Sequence, residues 1–382
     1  MKFSRRVFHL TLATLAVSAL SAAGCRKKTD EIPVGAFLSL SGADSTFGTD
    51  TRDGIELATD EVNAAGGIKG KKVRVFYEDD RSTTQEASQK VRQLIDRDGV
   101  VAVLGEVASS RTLAGGLVAN TSHVPLITPS STAVDVTQGR DWVFRVCFTD
   151  DQQGRVAARY VKNDLKKTKV GIFYVAQDTY SSGLAKSFRD EFKKLGGEIV
   201  ADKGYQKGDT NFTTYLNELK AQNPEIIFVP NYYNDMVPIA RQARQVGIPG
   251  SIFMGGDGWD SSNLLEGAGA ELEGASFTNH YAPDVPWPNS KKFVAAFHAK
   301  YKHDPSSLAA QGYDAAGLLF DAMRRAPQIT PEAIRKAIAE TTGFSGATGT
   351  LSIDPNRNAS KSIVVVRIKD KKFTFASEIP AE

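Results

Sequence analysis

The chain has 382 residues, of which 41% are hydrophobic and 24% charged, and its 47 Lys and Arg against 44 Asp and Glu give a formal net charge of +3. That length suits two domains that each bury a core, and the absence of a basic patch interleaved with aromatics excludes nucleic acid as a partner. Two cysteines, Cys25 and Cys147, exclude a disulfide framework.

The first 24 residues set the compartment. They carry Lys2, Arg5 and Arg6, no acidic residue, an apolar stretch over 7–20, and the small run Ser21-Ala22-Ala23-Gly24 before Cys25. This is the pattern of an export signal, and the apolar stretch is too short and too diluted by Thr and Ser to be a spanning helix of about 20 apolar residues. Ala22-Ala23-Gly24-Cys25 resembles a lipobox, although Leu is commoner where Ala22 stands. The expectation is cleavage before Cys25 and acylation of its thiol, leaving the protein anchored to a membrane in the periplasm or at the cell surface. Ordinary cleavage after Ala23 is the alternative, and Ser4-Arg5-Arg6-Val7-Phe8 also resembles a twin-arginine signal. Loss of the signal removes three positive charges, so the mature chain is close to neutral.

Residues 25–31 read as a polar tether. Strand-like and helix-like segments then alternate between Gly and Pro punctuation: a strand over 33–38, a helix over 50–65 ended by Gly66-Gly67, a strand over 72–77, a helix over 83–97, a strand over 100–104, a helix over 109–119 and a strand over 124–127. A second series places strands at 169–175, 198–205, 225–229 and 251–254, with helices such as 180–195 and 234–246 between them. Helices dominate 290–340, and the last forty residues hold strands, notably 362–368, without helices between them. Parallel strands need crossover helices, so the fold class is α/β, with two doubly wound, mostly parallel sheets in tandem.

Open α/β sheets take ligands at the C-terminal ends of their strands, which directs attention to four turns. These are Ser39 to Gly48, a polar loop with Phe47 near its end; Gly105 to Ser110, with hydroxyls at a helix N-terminus; Thr128-Pro129-Ser130-Ser131-Thr132; and Met254 to Trp259, where Asp257 lies in a glycine-flanked turn. Hydroxyls and free N–H groups at a helix start suit an anion, and an opposing aspartate suits a cation, so the set fits a zwitterion. Taken singly, Ser109 and Ser130 also read as helix caps and Asp257 as a turn former.

The run Val34 to Gly42, then Gly54-Ile55-Glu56-Leu57-Ala58 and Val62 to Gly70, resembles the opening of the periplasmic branched-chain amino-acid (Leu/Ile/Val) binding proteins. Further matches follow in order through Ser109-Ser110, Thr128-Pro129, Arg145, Gln152-Gln153-Gly154, Tyr180, Arg241 to Arg244 and Gly312-Tyr313-Asp314-Ala315. The resemblance implies a type I periplasmic-binding fold with three crossover strands near Thr149, Tyr281 and Asn356. Lobe one would comprise 32–149 and 282–357, and lobe two 150–281 and 358–382. It implies a monomeric solute-binding receptor of an ABC uptake transporter that takes a free amino acid and delivers it to permease subunits. Carried over by position, Ser109 and the backbone around Thr132 would hold the α-carboxylate. The Ser130 carbonyl, the Thr132 hydroxyl and Asp257 would hold the α-ammonium, and Phe47, Tyr180 and Tyr232 would wall the cleft. Relatives commonly have Tyr, Glu and Ala where this chain has Phe47, Asp257 and Ser130. Some have a disulfide at the positions of Arg81 and Ala108. Tyr233 stands beside Tyr232, so a slip of one residue would exchange their roles.

No Gly-x-Ser-x-Gly turn, His-Glu-x-x-His pair or P-loop is present, and His123, His280, His298 and His303 read as solvated or core residues. No enzyme activity, metal or cofactor is expected. A sensory receptor of the same fold is the alternative, as is a transport receptor for an amide, a urea-like solute or an aromatic acid.

Overall fold

The computed structural model describes residues 31–380; the expected signal, Cys25 and all of the tether but Glu31 lie outside the described residues. β1 (Glu31–Leu38) starts two residues before the expected strand and takes Glu31 from the tether. It is followed by α1 (Ser45–Ala64), β2 (Lys72–Asp79), α2 (Thr84–Asp96), β3 (Val103–Leu104), α3 (Ser109–Thr121), β4 (Leu126–Thr128) and β5 (Val143–Arg145). The five strands form one parallel sheet in the order β2-β1-β3-β4-β5. Since β1 has β2 on one side and β3 on the other, the order reverses at β1. The loops after β1 and β3 therefore open side by side at the carboxyl edge, the position that suits a ligand.

The second sheet follows α4 (Asp150–Arg159) and is wound by β6 (Lys169–Val175), α5 (Thr179–Lys194), β7 (Glu198–Tyr205), α6 (Thr213–Ala221), β8 (Ile226–Val229), α7 (Tyr233–Gln245), β9 (Phe253–Gly255), α8 (Ser262–Ala268) and β10 (Ser276–Asn279). The chain then forms α9 (Pro288–Tyr301), α10 (Ser307–Arg325) and α11 (Pro331–Ala339). A small antiparallel sheet comes next, made of β11 (Phe344–Gly346), β12 (Gly349–Ile353) and β13 (Ala359–Ser360). Finally β14 (Ile363–Lys369) and β15 (Lys372–Ile379) join the second sheet, whose order is β15-β14-β10-β9-β8-β6-β7. Both added strands are antiparallel to their neighbours, so this sheet is parallel only from β6 to β10. Their alternation explains the helix-free tail read from the sequence.

The sheets anchor different clusters, although that of the second extends to Phe47 and Leu57 of α1 and Leu308 of α10. Val34, Ile55 and Leu104 of the first share a cluster with Ala315, Leu318 and Leu319 of α10, so the helix-rich region after β10 returns to the first sheet. Phe173, Ile227 and Phe277 anchor the cluster of the second. The return is made by close backbone contact between α1 and α10. A Cβ on Gly54 would lie 1.9 Å from the Ala309 carbonyl oxygen, and one on Gly312 would lie 2.4 Å from that of Thr51. Gly54→Ala should therefore force the two helices apart and lower stability by about 1–3 kcal/mol. An unchanged midpoint in urea unfolding would show that the contact yields freely.

Several readings shift at their edges. The strand expected over 100–104 is confined to Val103–Leu104, and that over 251–254 moves to Phe253–Gly255 behind a 3₁₀ turn. Ser45 to Gly48 are helical rather than loop, so Phe47 projects from the first turn of α1. Among the described residues no helix is long and apolar enough to cross a membrane. Cys147 is free and buried.

Candidate ligand site between the two sheets

Seven residues singled out in the sequence, Phe47, Ser109, Ser130, Thr132, Tyr180, Tyr232 and Asp257, line one tightly closed pocket, together with Val107, Gly258 and Leu308. The fold brings them there from α1, α3, the loop after β4, α5, the start of α7 and the loop after β9. All but Tyr232 are buried.

One end of the cavity is built for an anion. Ala108, not Ser109, is the N-cap of α3, and no side chain caps that helix. The Ser109 and Ser110 N–H groups have no partner among the described residues, which leaves the positive end of the helix open to a ligand. Ser109 instead turns its Oγ to accept from the Ala133 N–H at 3.2 Å. The capping reading of Ser109 is thereby replaced, because the backbone enters the helix one residue earlier.

The loop after β4 is braced at most of its carbonyls. Gln311 Nε2 donates to the Pro129 oxygen (2.9 Å), Arg145 to the Ser131 (2.7 Å) and Ala133 (2.8 Å) oxygens, and the Asp150 N–H to the Thr132 oxygen (2.8 Å). Ser130 differs: no donor among the described residues reaches its carbonyl, and its hydroxyl is buried without a partner among them. An unpaired buried polar group costs about 1–3 kcal/mol, so the Ser130 carbonyl and hydroxyl give this cavity wall a polar face that suits a polar ligand.

Across the cavity Asp257 is held by two donors. Gln153 Nε2 reaches its Oδ1 at 2.9 Å, and His280 Nε2 lies 3.2 Å from its Oδ2. Asp150 is a second buried carboxyl nearby, beside the Thr132 hydroxyl. Burial and the charge of Asp257 push it well above the usual carboxylate range, while the Thr132 hydroxyl acts in the opposite direction. Burial likewise pushes the Tyr180 and Tyr232 phenols up, so both rings are neutral walls. They stack at 5.1 Å and 7°, and Tyr180 OH accepts from the Gly258 N–H at 3.0 Å. Tyr233 faces elsewhere: it packs edge-on against Phe47 at 5.0 Å and donates to the Ala43 carbonyl at 2.9 Å. With Asn234 to Asp44 (3.3 Å) and Thr46 to Ser261 (3.0 Å), that bond joins α1 and its approach to α7 and the loop after β9. The two sheets are latched directly across the cavity.

Behind the anion end Arg111 organises the loops of the first sheet. Its guanidinium donates to Asp44 at 2.7 Å and Glu106 at 3.0 Å, and Asp80 lies 4.0 Å away. Glu106 in turn accepts from the Ser39 N–H and hydroxyl and from the Ala108 N–H. Burial alone would lower the Arg111 pKa, but Glu106 and Asp44 outweigh it and hold it raised. Asp150, Gln153, His280 and this arginine cluster were not singled out in the sequence. Thr149-x-x-Gln152 could have found the first two, since it forms a full capping box that starts α4 and sets their positions.

A family model described as periplasmic binding protein matches residues 31–372. The chain belongs to the periplasmic binding protein family. Among curated family members it is 32% identical to an amino acid binding protein of Pseudomonas aeruginosa over 78% of this chain and 79% of that one. It is 31% identical to the Leu/Ile/Val-binding protein of Escherichia coli over 72% and 74%. Among solved family structures, a leucine binding protein LivK from Thermotoga maritima is 36% identical, with a TM-score of 0.87, covering 91% of this chain and 99% of that one. A substrate-binding protein LivJ of a branched-chain amino acid transporter from Streptococcus pneumoniae, in complex with isoleucine, is 34% identical with a TM-score of 0.86 over the same shares.

Proposed function

We propose that this protein is the solute-binding receptor of an ABC uptake transporter and that its cavity takes a free branched-chain amino acid. One observation carries the reading: an uncapped helix N-terminus and a buried aspartate face one small cavity from opposite sides, as a zwitterion requires. In this reading Ser109 and the N–H groups of α3 and Thr132 hold the α-carboxylate. The Ser130 carbonyl, the Thr132 hydroxyl and Asp257 hold the α-ammonium. Phe47, Tyr180, Tyr232, Val107 and Leu308 surround an apolar side chain, a lining that suits Leu, Ile or Val. The relatives that bind leucine or isoleucine support the same class.

The lobes divide at 32–149 with 282–357 and 150–281 with 358–382, and they close on ligand by a hinge at the three passages between the sheets. The receptor is a monomer that works by binding rather than catalysis and hands its ligand to permease subunits. It is exported on residues 1–24 and held in the periplasm or at the cell surface by acylated Cys25. The mature chain screened by thermal shift should be stabilised by Leu, Ile or Val above polar amino acids. Stabilisation only by compounds without an α-ammonium would overturn the reading.

A further inference from the structure

His280 is fully buried, in the passage between β10 and α9, and so lies at the hinge rather than on the cavity wall. Its ring stacks on Phe148 at 3.8 Å and 27°, which fixes the ring plane. Phe148 belongs to the first passage between the sheets, next to the N-cap of α4. One ring nitrogen, Nε2, faces Asp257 Oδ2 at 3.2 Å, while Nδ1 is buried without a partner among the described residues. A carboxylate cannot donate, so Nε2 carries the proton and donates, and the unpaired Nδ1 accepts nothing and is bare. The result is a neutral imidazole whose free position has no acceptor to welcome a second proton.

We propose that His280 is a positioning residue that aims Asp257 at the ligand's ammonium and makes ligand binding and proton uptake at this hinge mutually exclusive. The proposal rests on the ligand reading above. A neutral His280 supplies a hydrogen bond and leaves the full charge of Asp257 to the ammonium. A protonated His280 forms an ion pair with Asp257 and competes with the ammonium for the same carboxylate. Linkage requires the converse as well: bound ammonium opposes protonation of His280.

The charged groups that face the ring from neighbouring elements act in known directions. Burial lowers its proton affinity first, Asp257 raises it, and Lys361 of the third passage lowers it. Asp150 of α4 is the other buried carboxyl coupled to Asp257. The ring is therefore neutral at pH 7, and competition sets in below the usual imidazole range of about 6.5. Since protonated free protein must shed that proton to bind, affinity should fall up to about tenfold per pH unit in that range.

Calorimetry of the mature chain with leucine, from about pH 5 to about pH 8, tests the idea alongside His280→Gln, whose amide donates to Asp257 without titrating. Wild type should lose affinity in acid, whereas His280→Gln should show a flatter acid limb relative to its own affinity near pH 8. Equal slopes would overturn the proposal. Should the variant fail to fold, nitrogen NMR of wild-type His280 decides instead: leucine should lower its pKa and keep the proton on Nε2, and an unmoved pKa would refute the coupling. Asp257→Asn separates the two readings. If it leaves leucine affinity intact, the ammonium assignment itself fails; if it weakens binding while leucine leaves the wild-type His280 pKa unmoved, only the role of His280 fails.

Discussion

Asp257→Ala should weaken leucine binding by about 3–5 kcal/mol, the usual loss when one member of a buried, hydrogen-bonded charge pair is removed. Asp257 is only 7% exposed and is oriented by Gln153 and His280, so a bound ammonium beside it would be desolvated and would have no nearby water to replace the carboxylate. The variant also strands the Gln153 amide and the His280 N–H, which adds to the loss. Asp257→Glu should recover part of it, because charge is kept while the carboxylate is displaced by one methylene. Isothermal titration reads the difference, and a change under about tenfold, or 1.4 kcal/mol, would remove Asp257 from the ammonium site.

The second large effect concerns stability. Arg111→Met should cost about 3–5 kcal/mol, since it leaves Asp44, Glu106 and Asp80 buried around an uncharged side chain. The loss should grow with pH. Burial and Glu106 push Asp80 up to about 7 in the folded protein. An upward-shifted carboxyl in the native state favours folding when protonated. The contribution is present below the unfolded value of about 4 and is lost as pH rises toward 7. Without the guanidinium the shift increases, so urea unfolding should show a larger gap between variant and wild type near pH 8 than near pH 5. A gap independent of pH would mean that Arg111 acts through packing alone.

Much of this site was legible in the sequence because strand-end turns are local signals. Ser109, Ser130, Thr132 and Asp257 each follow a strand, and the alternation of β and α segments already places such turns on one edge. Tyr180 and Tyr232 are candidates only through family resemblance, since an aromatic at a helix start looks like any core residue, whereas Phe47 also stands in a strand-end turn. The choice between Tyr232 and Tyr233 needed three dimensions: consecutive residues at the start of α7 point to the cavity and to Ala43 respectively. Strands of two to four residues, such as β5 and β10, are too short to show a period. The Arg111 cluster was invisible for a different reason. Its carboxylates lie up to 67 positions from Arg111 in the chain, and only the reversal of strand order at β1 stacks their loops. The sequence leaves His280 as a solvated or core histidine; it is buried, and what the sequence does not show is that its ring nitrogen faces Asp257.

The most direct measurement is a crystal structure of the mature chain with leucine bound. The carboxylate should lie against Ser109 and the first N–H groups of α3, with the ammonium within hydrogen-bond reach of Asp257, the Ser130 carbonyl and the Thr132 hydroxyl. Leucine found elsewhere, or reversed so that its carboxylate meets Asp257, would contradict the account.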